Sequence, residues 1–244
     1  MPQSEPGILD QASPLPGERL WRGLKGHAAY EWLTHRAVTL WFLLLALNLA
    51  FGIANATRKL DPAALSLADV ADLLSRFFTM VFFVNAAWLT LVRSPPLAKA
   101  KGFLPRLTAL LAVMLLFALP FLPRLDPAPT WLLFLSAGLA FLGNGLALIV
   151  LGQLGRSFSI MSEARQLVTD GPYRIVRHPL YLTEEIAIIG ICLPYWGWPM
   201  ALLFLVHLAA QLVRLGNEER VLSDTFADYA DYARRTARLI PGIW

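Results

Sequence analysis

Cysteine is almost missing from this chain, and charge is missing from most of its length. The one cysteine, Cys192, lies in an apolar run. That excludes a disulfide within the chain and argues against a metal cage built on thiolates. The four histidines, His27, His35, His178 and His207, form no pair with ligand-like spacing, so no metal site is expected. Charged residues make up only 16% of 244, and the net charge of +4 is modest, so no nucleic-acid partner is expected. Residues 1–37 hold Trp, Arg and Lys but no apolar h-region, so no secretory signal is expected.

What the chain has is hydrophobic length. Its 57% apolar content and mean hydropathy of +0.54 come from runs of about 20 apolar residues, enough to cross hydrocarbon. Spans are expected at roughly 38–56, 73–92, 103–122 and 131–151. A fifth apolar region, Leu180 to Val213, is too long for one span and is broken by Pro194 and by Gly197-Trp198-Pro199. It reads as two short helices, about 180–193 and 199–214, joined by a tight turn.

Charge then orients these segments. Residues 1–37, 93–106, 152–179 and 214–244 hold four, four, four and five Lys/Arg. The alternate segments 57–76, 123–130 and 194–199 hold three, one and none, so seventeen basic residues stand against four. By the positive-inside rule, six crossings put both termini and the 152–179 loop in the cytoplasm. The fold class expected is an all-α integral membrane protein with about six transmembrane helices, the last two a short hairpin. A cytoplasmic pocket and a C-terminal amphipathic helix complete it.

Three regions follow. Residues 1–37 are a cytoplasmic segment whose first 17 residues are rich in Pro, Ser and Gly. Its residues 18–36 interleave Trp21, Tyr30 and Trp32 with Arg19, Arg22, Lys25 and Arg36, which suits an interfacial helix. Residues 38–151 form the four-span region. Residues 152–244 carry the chemistry.

The densest polar cluster is Gly171-Pro172-Tyr173-Arg174-Ile175-Val176-Arg177-His178-Pro179-Leu180-Tyr181. Pro179 suits the first position of a helix. A helix starting there sets His178, Tyr181 and Glu185 on one face, with Glu184 a step around. Glu184 and Glu185 are the only acids between Asp170 and Glu218. A carboxylate in an apolar helix entering the membrane is costly, so it should face protein or a watery cavity and have a partner. Arg174 and Arg177 also suit simple snorkelling to headgroups. A second block, Asn217-Glu218-Glu219-Arg220, opens a segment to Ala237 that reads as an amphipathic helix, with Val221, Leu222, Phe226, Tyr229 and Tyr232 on one face.

These pieces together resemble the isoprenylcysteine carboxyl methyltransferase and phospholipid methyltransferase group of membrane enzymes. The matching residues are Leu154-Gly155-Arg156-Ser157-Phe158-Ser159, Leu167-Val168, Gly171-Pro172-Tyr173-Arg174 and Arg177-His178-Pro179-Leu180-Tyr181. Glu218-Glu219, Leu222, Phe226, Tyr229, Tyr232 and Ile240-Pro241 complete the set, so the resemblance covers roughly 150–241. Two departures stand out. The family's Phe-Gly reads Phe226-Ala227 here, and the pair Glu184-Glu185 follows Tyr181 where many members carry small or apolar residues.

The resemblance implies S-adenosylmethionine as methyl donor, and a lipophilic small-molecule or lipid acceptor arriving from the bilayer. Arg177 would answer the donor's carboxylate, and Glu185 or Glu219 its ammonium. Tyr173 and Tyr181 offer faces to the adenine or the sulfonium. His178 would hydrogen-bond adenine or ribose, and the backbone around Leu167, Val168 and Gly171 would read the adenine edge. Glu218 or Glu219 would serve as base for a thiol or amine acceptor. A carboxylate acceptor would instead need Arg214 or Arg220 to orient it. The arginine- and alanine-rich, lysine-poor composition is bacterial in character, which places the chain in an inner membrane. Two other readings stay open. One is an NADPH-dependent membrane reductase of sterol-like lipids, with Arg156, Arg165, Arg174 and Arg177 as phosphate partners. The other is a non-catalytic transporter or scaffold, for which the nearly charge-free first four spans offer little.

Overall fold

The computed structural model describes residues 28–61 and 65–242. The stretch 1–17 and most of the expected interfacial helix over 18–36 therefore lie outside the described residues. The elements in order are α1 (Ala28–Lys59), α2 (Leu67–Val92), β1 (Ala98–Lys99), α3 (Leu104–Met114) and α4 (Thr130–Leu154). They are followed by β2 (Glu163–Ala164), α5 (Pro179–Cys192), α6 (Trp198–Thr225) and α7 (Tyr229–Arg235). The segments Arg36–Lys59, Thr130–Ser157 and Trp198–Thr225 are long and apolar enough to cross a membrane. Leu47, Phe51, Ile149 and Leu205 on those helices are exposed, as lipid-facing side chains should be. The chain is an integral membrane protein.

Local chemistry sets several boundaries. Ser66 and Asp69 form a reciprocal capping box at the start of α2, and its 26 residues extend about 39 Å. The expected span 103–122 is not one α-helix. Eleven α-helical residues pass into seven residues of 3₁₀ helix, Leu115–Phe121. Pro120 brings no N–H to an α-helical ladder. At about 1.5 and 2.0 Å per residue the two pieces reach about 30 Å, still a hydrocarbon thickness.

The hairpin departs further from expectation. Its second helix does not stop near residue 214. α6 runs unbroken to Thr225, so the Asn217–Glu219 block rides on the last apolar helix as it leaves the membrane. The expected amphipathic helix over 217–237 is thus split. The backbone turns extended at Phe226, and only Tyr229–Arg235 forms a separate helix. No proline interrupts 200–225, so nothing local stops α6.

Small residues and a few polar bridges hold the helices together, as apolar driving force between helices is weak in lipid. A Cβ added at Gly143 would fall 2.3 Å from the Ala187 nitrogen, and one at Gly190 2.6 Å from the Ala140 nitrogen. α4 and α5 therefore touch backbone to backbone, and the Ser136 hydroxyl donates to the Gly190 carbonyl at 2.7 Å. Asn144 Nδ2 donates to Thr79 Oγ1 at 2.9 Å, joining α4 to α2. Thr39 and Thr90 hydroxyls, 2.9 Å apart, join α1 to α2.

The loops sort into two ends. β1 pairs antiparallel with β2, Ala98 opposite Ala164, and Ser94 N–H donates to the Arg156 carbonyl at 3.0 Å. The segment 176–178 pairs with Ala237 and Arg238. The loops 93–103, 152–178 and 226–242 thus share one end. At the other, Leu125 N–H donates to the Pro194 carbonyl at 2.8 Å. The basic segments 93–106, 152–179 and 214–242 are gathered at the first end.

Candidate functional site

Where those basic loops meet the bundle, a pocket opens with about 750 Å³ of empty space including its mouth and the solvent there. Its wall combines the 154–168 segment, the 173–184 segment, and Arg214, Glu218 and Leu222 of α6, with Tyr229 and Tyr232 of α7. The lengthening of α6 makes this possible. Arg214, Glu218 and Leu222 recur every four residues on one uninterrupted face, turned toward α5.

Across that gap runs a ladder of polar contacts. The Tyr181 hydroxyl donates to Glu218 Oε2 at 2.6 Å. Arg214 lies over the Tyr181 ring, 4.8 Å from its centroid, a cation–π geometry. The His178 and Tyr181 rings meet edge to face at 5.5 Å. Deeper in the bundle, His207 Nε2 lies 2.9 Å from Glu185 Oε1.

Glu219 sits beneath this wall as an anchor for three basic side chains. Arg177 Nε is at 2.8 Å, His178 Nε2 at 3.2 Å and Arg238 Nη2 at 2.8 Å. Arg177 Nη1 also donates to the carbonyls of Ala233 and Thr236, at 2.7 and 2.5 Å. The Tyr232 hydroxyl donates to the Tyr173 carbonyl at 2.7 Å. These bonds strap α7 and the chain after it against the pocket. Burial pushes the Tyr232 phenol up to about 12 and raises Tyr173 and Tyr229 further. The Glu218 carboxylate adds to the rise at Tyr173, and Glu219 to that at Tyr229. All three are neutral at physiological pH.

Of the residues singled out from sequence, Leu167, Val168, Tyr173, Arg177, His178, Tyr181, Arg214 and Glu218 stand in the wall. Gly171, Glu185 and Glu219 do not. Gly171 acts through its backbone. At φ +59° it opens the 3₁₀ turn Gly171–Arg174, and a Cβ there would meet Gln153 at 3.2 Å. Glu185 corrects the expected face. Glu184 lines the pocket, while Glu185 turns to His207. Both acids neighbour Tyr181, at three and four residues' distance, and packing against α6 decides between them. Arg177 was expected to meet a donor carboxylate, but its Nε and Nη1 are spent within the protein.

Glu163 carried no signal in the sequence, and Arg165 was named only as a phosphate partner for the reductase alternative. Arg165 Nη2 pairs with Glu163 Oε2 at 2.7 Å and its Nε donates to the Ser94 carbonyl at 2.6 Å. Both line the pocket, brought there by the two-residue β1–β2 ladder, for which the sequence carries no periodic signal. Arg165 Nη1 and Arg214 Nε are buried with no hydrogen-bond partner among the described residues. Such donors in a cavity wall suit an anionic ligand group. Among the described residues no three His, Cys, Asp or Glu side chains are grouped to hold a metal.

Comparison with known proteins bears on the same region. The chain is 34% identical over 118 residues to the cobalt-zinc-cadmium resistance protein CzcN of Cupriavidus metallidurans, covering 47% of this chain and 53% of that protein. It is 31% identical over 117 residues to the nickel-cobalt-cadmium resistance protein NccN of Alcaligenes xylosoxydans xylosoxydans, covering 47% and 54%. The chain thus spans about half the length of these relatives. The family model described as phospholipid methyltransferase matches residues 131–229, which include every wall residue except Tyr232. The part of this chain that builds the pocket therefore matches the phospholipid methyltransferase family over residues 131–229.

Proposed function

We propose that this protein is a membrane methyltransferase that transfers a methyl group from S-adenosylmethionine to a small lipophilic or lipid-like acceptor at the cytoplasmic face. The observation that carries the reading is the pocket itself, whose charged, aromatic and apolar walls fall within the family-matched segment. The basic loops gathered at the pocket end support the cytoplasmic placement.

The wall offers partners for the adenine, ribose and carboxylate of the donor. Tyr173 and Tyr181 present aromatic faces. Leu167 and Val168 bring backbone to the adenine edge. Arg165, with its unpartnered Nη1, suits the carboxylate, in place of the Arg177 expected from sequence. His178, in the same wall, suits the ribose. When bound, S-adenosylmethionine supplies a methyl carbon already activated on sulfonium. The protein's own task is alignment and the exclusion of water, for which the Glu219 anchor and the strap of α7 are built.

The test is calorimetric titration of the purified protein with S-adenosylhomocysteine, with NADPH in parallel. Saturable binding of S-adenosylhomocysteine alone is the expected result. Binding of NADPH alone would move the protein to the reductases, and binding of neither to a folded sample would leave a non-catalytic role.

A further inference from the structure

We propose that Glu184 receives the methyl acceptor, taking the proton of an incoming thiol or amine, and that this pocket discriminates against a carboxylate acceptor. The inference deepens the methyltransferase reading and rests on it.

Glu184 lies on α5 one turn beyond Tyr181, in the pocket wall, and among the described residues its carboxylate has no hydrogen bond or ion pair. The neighbouring acids are committed. Glu218 accepts the Tyr181 hydroxyl at 2.6 Å, Glu185 meets His207 at 2.9 Å, and Glu219 holds Arg177, His178 and Arg238 outside the wall. An acid so placed in an apolar helix calls for a partner or a watery cavity. This one has the cavity.

Arg214 gives independent evidence that a ligand belongs here. It is 6% exposed, lines the same wall, and has only Nη1 bonded, to Gln211 at 3.2 Å. Its Nε is buried without a partner. A free carboxylate and a half-engaged guanidinium therefore flank Tyr181, the ring that Arg214 covers.

Charge then selects the ligand. At this level of the wall two carboxylates, Glu184 and Glu218, stand against one guanidinium, Arg214. The other wall charges cancel locally, Glu163 on Arg165 at 2.7 Å and Arg177 on Glu219 at 2.8 Å. A carboxylate entering here meets two like charges and one opposite, while an uncharged thiol or an ammonium meets a net negative surface. Leu154, Leu180 and Leu222 of the same wall suit an apolar tail.

The step balances without another reactant. The acceptor's lone pair forms the new bond to the methyl carbon, and the carbon–sulfur electron pair leaves with the donor sulfur. The acceptor's proton passes to a Glu184 carboxylate oxygen and then to solvent once product departs.

The experiment uses the full chain in lipid nanodiscs loaded with S-adenosylhomocysteine, titrated separately with dodecanethiol, dodecylamine and dodecanoate. Wild type should bind the thiol or the amine at least about tenfold more tightly than dodecanoate. Glu184→Gln should erase that preference while S-adenosylhomocysteine affinity is unchanged, and Glu184→Asp, which keeps the charge, should restore it. With S-adenosylmethionine, turnover of the preferred acceptor should fall about 100-fold in Glu184→Gln. Equal binding of all three, preference for dodecanoate, or binding of none overturns the inference. So does an unchanged preference in Glu184→Gln, or loss of S-adenosylhomocysteine binding in that variant, which would make Glu184 a donor ligand. Failure of wild type to bind S-adenosylhomocysteine at all would instead overturn the methyltransferase reading on which the inference rests.

Discussion

His207 Nε2 lies 2.9 Å from Glu185 Oε1, and its Nδ1 lies 2.9 Å from the Ala112 carbonyl. A carbonyl only accepts, so Nδ1 carries a proton. Nε2 and the Glu185 carboxyl then share one more, either as neutral acid and neutral imidazole or as an ion pair. Both forms leave the pair with no net charge, the condition for burying it where His207 is fully enclosed. One side-chain contact thereby ties α5 to α6 and, through the imidazole, to α3.

Glu185→Gln keeps a donor opposite Nε2, whereas His207→Ala strands a buried carboxyl. Thermal unfolding in detergent should show Glu185→Gln close to wild type and His207→Ala destabilised by about 1–3 kcal/mol. A Glu185→Gln variant as unstable as His207→Ala would mean that the pair is held by full charge and not by a shared proton.

Backbone contact between α4 and α5 leaves no room for side chains at its glycines. Gly143→Ala would place a carbon 2.3 Å from the Ala187 nitrogen, whereas Gly138 on the same helix has nothing within 4 Å. Gly143→Ala should cost about 1–3 kcal/mol by overpacking and lower the melting temperature. Gly138→Ala should be neutral or slightly stabilising, since Ala is the better helix former. Equal effects at the two positions would refute the close crossing.

Removing the charge of Glu219 leaves Arg177, His178 and Arg238 without their common anchor. Glu219→Gln should destabilise the C-terminal strap by about 2 kcal/mol, less than a fully buried ion pair would lose. Limited proteolysis should then cut faster between Phe226 and Arg238 while the helical bundle stays intact, and S-adenosylhomocysteine should bind more weakly. Unchanged proteolysis would show that the backbone pairing of 176–178 with 237–238 is sufficient.

Alkaline pH should loosen the same strap. Burial raises Tyr232 from its ordinary 10 to about 12, and its hydroxyl must keep a proton to donate to the Tyr173 carbonyl. A folded-state value above the unfolded one gives stability that is fully present below pH 10 and lost as pH rises toward 12. Tyrosinate absorbance and cleavage near the C-terminus should rise together over that window, and Tyr232→Phe should remove that part of the response.

The apolar helices were legible in the sequence because length and hydropathy are properties of consecutive residues. Charge counts added their order and the grouping of the basic loops. The start of α5 at Pro179 was legible too, since proline suits that position without a partner. The choice between Glu184 and Glu185 was not. Both are one turn from Tyr181, and only the placement of His207, 22 residues away on another helix, assigns one to the bundle and the other to the pocket. The place of Arg165 in the wall was not legible for a related reason, because a two-residue strand pairing brings it there.

The sequence by itself determined that this chain lives in a membrane, that its titratable groups cluster at one end, and that residues 171–181 and 217–222 carry them. Those are consequences of composition and local spacing. The tertiary structure decided which of these groups face a cavity and which hold the fold. Arg177 and Glu219 became a clasp for the C-terminal segment, and Glu185 a buried partner for His207. Glu184, Arg214 and Glu218 became the wall. In a low-dielectric bundle a charge must find its partner across the chain, and those distances exist only once the helices have packed.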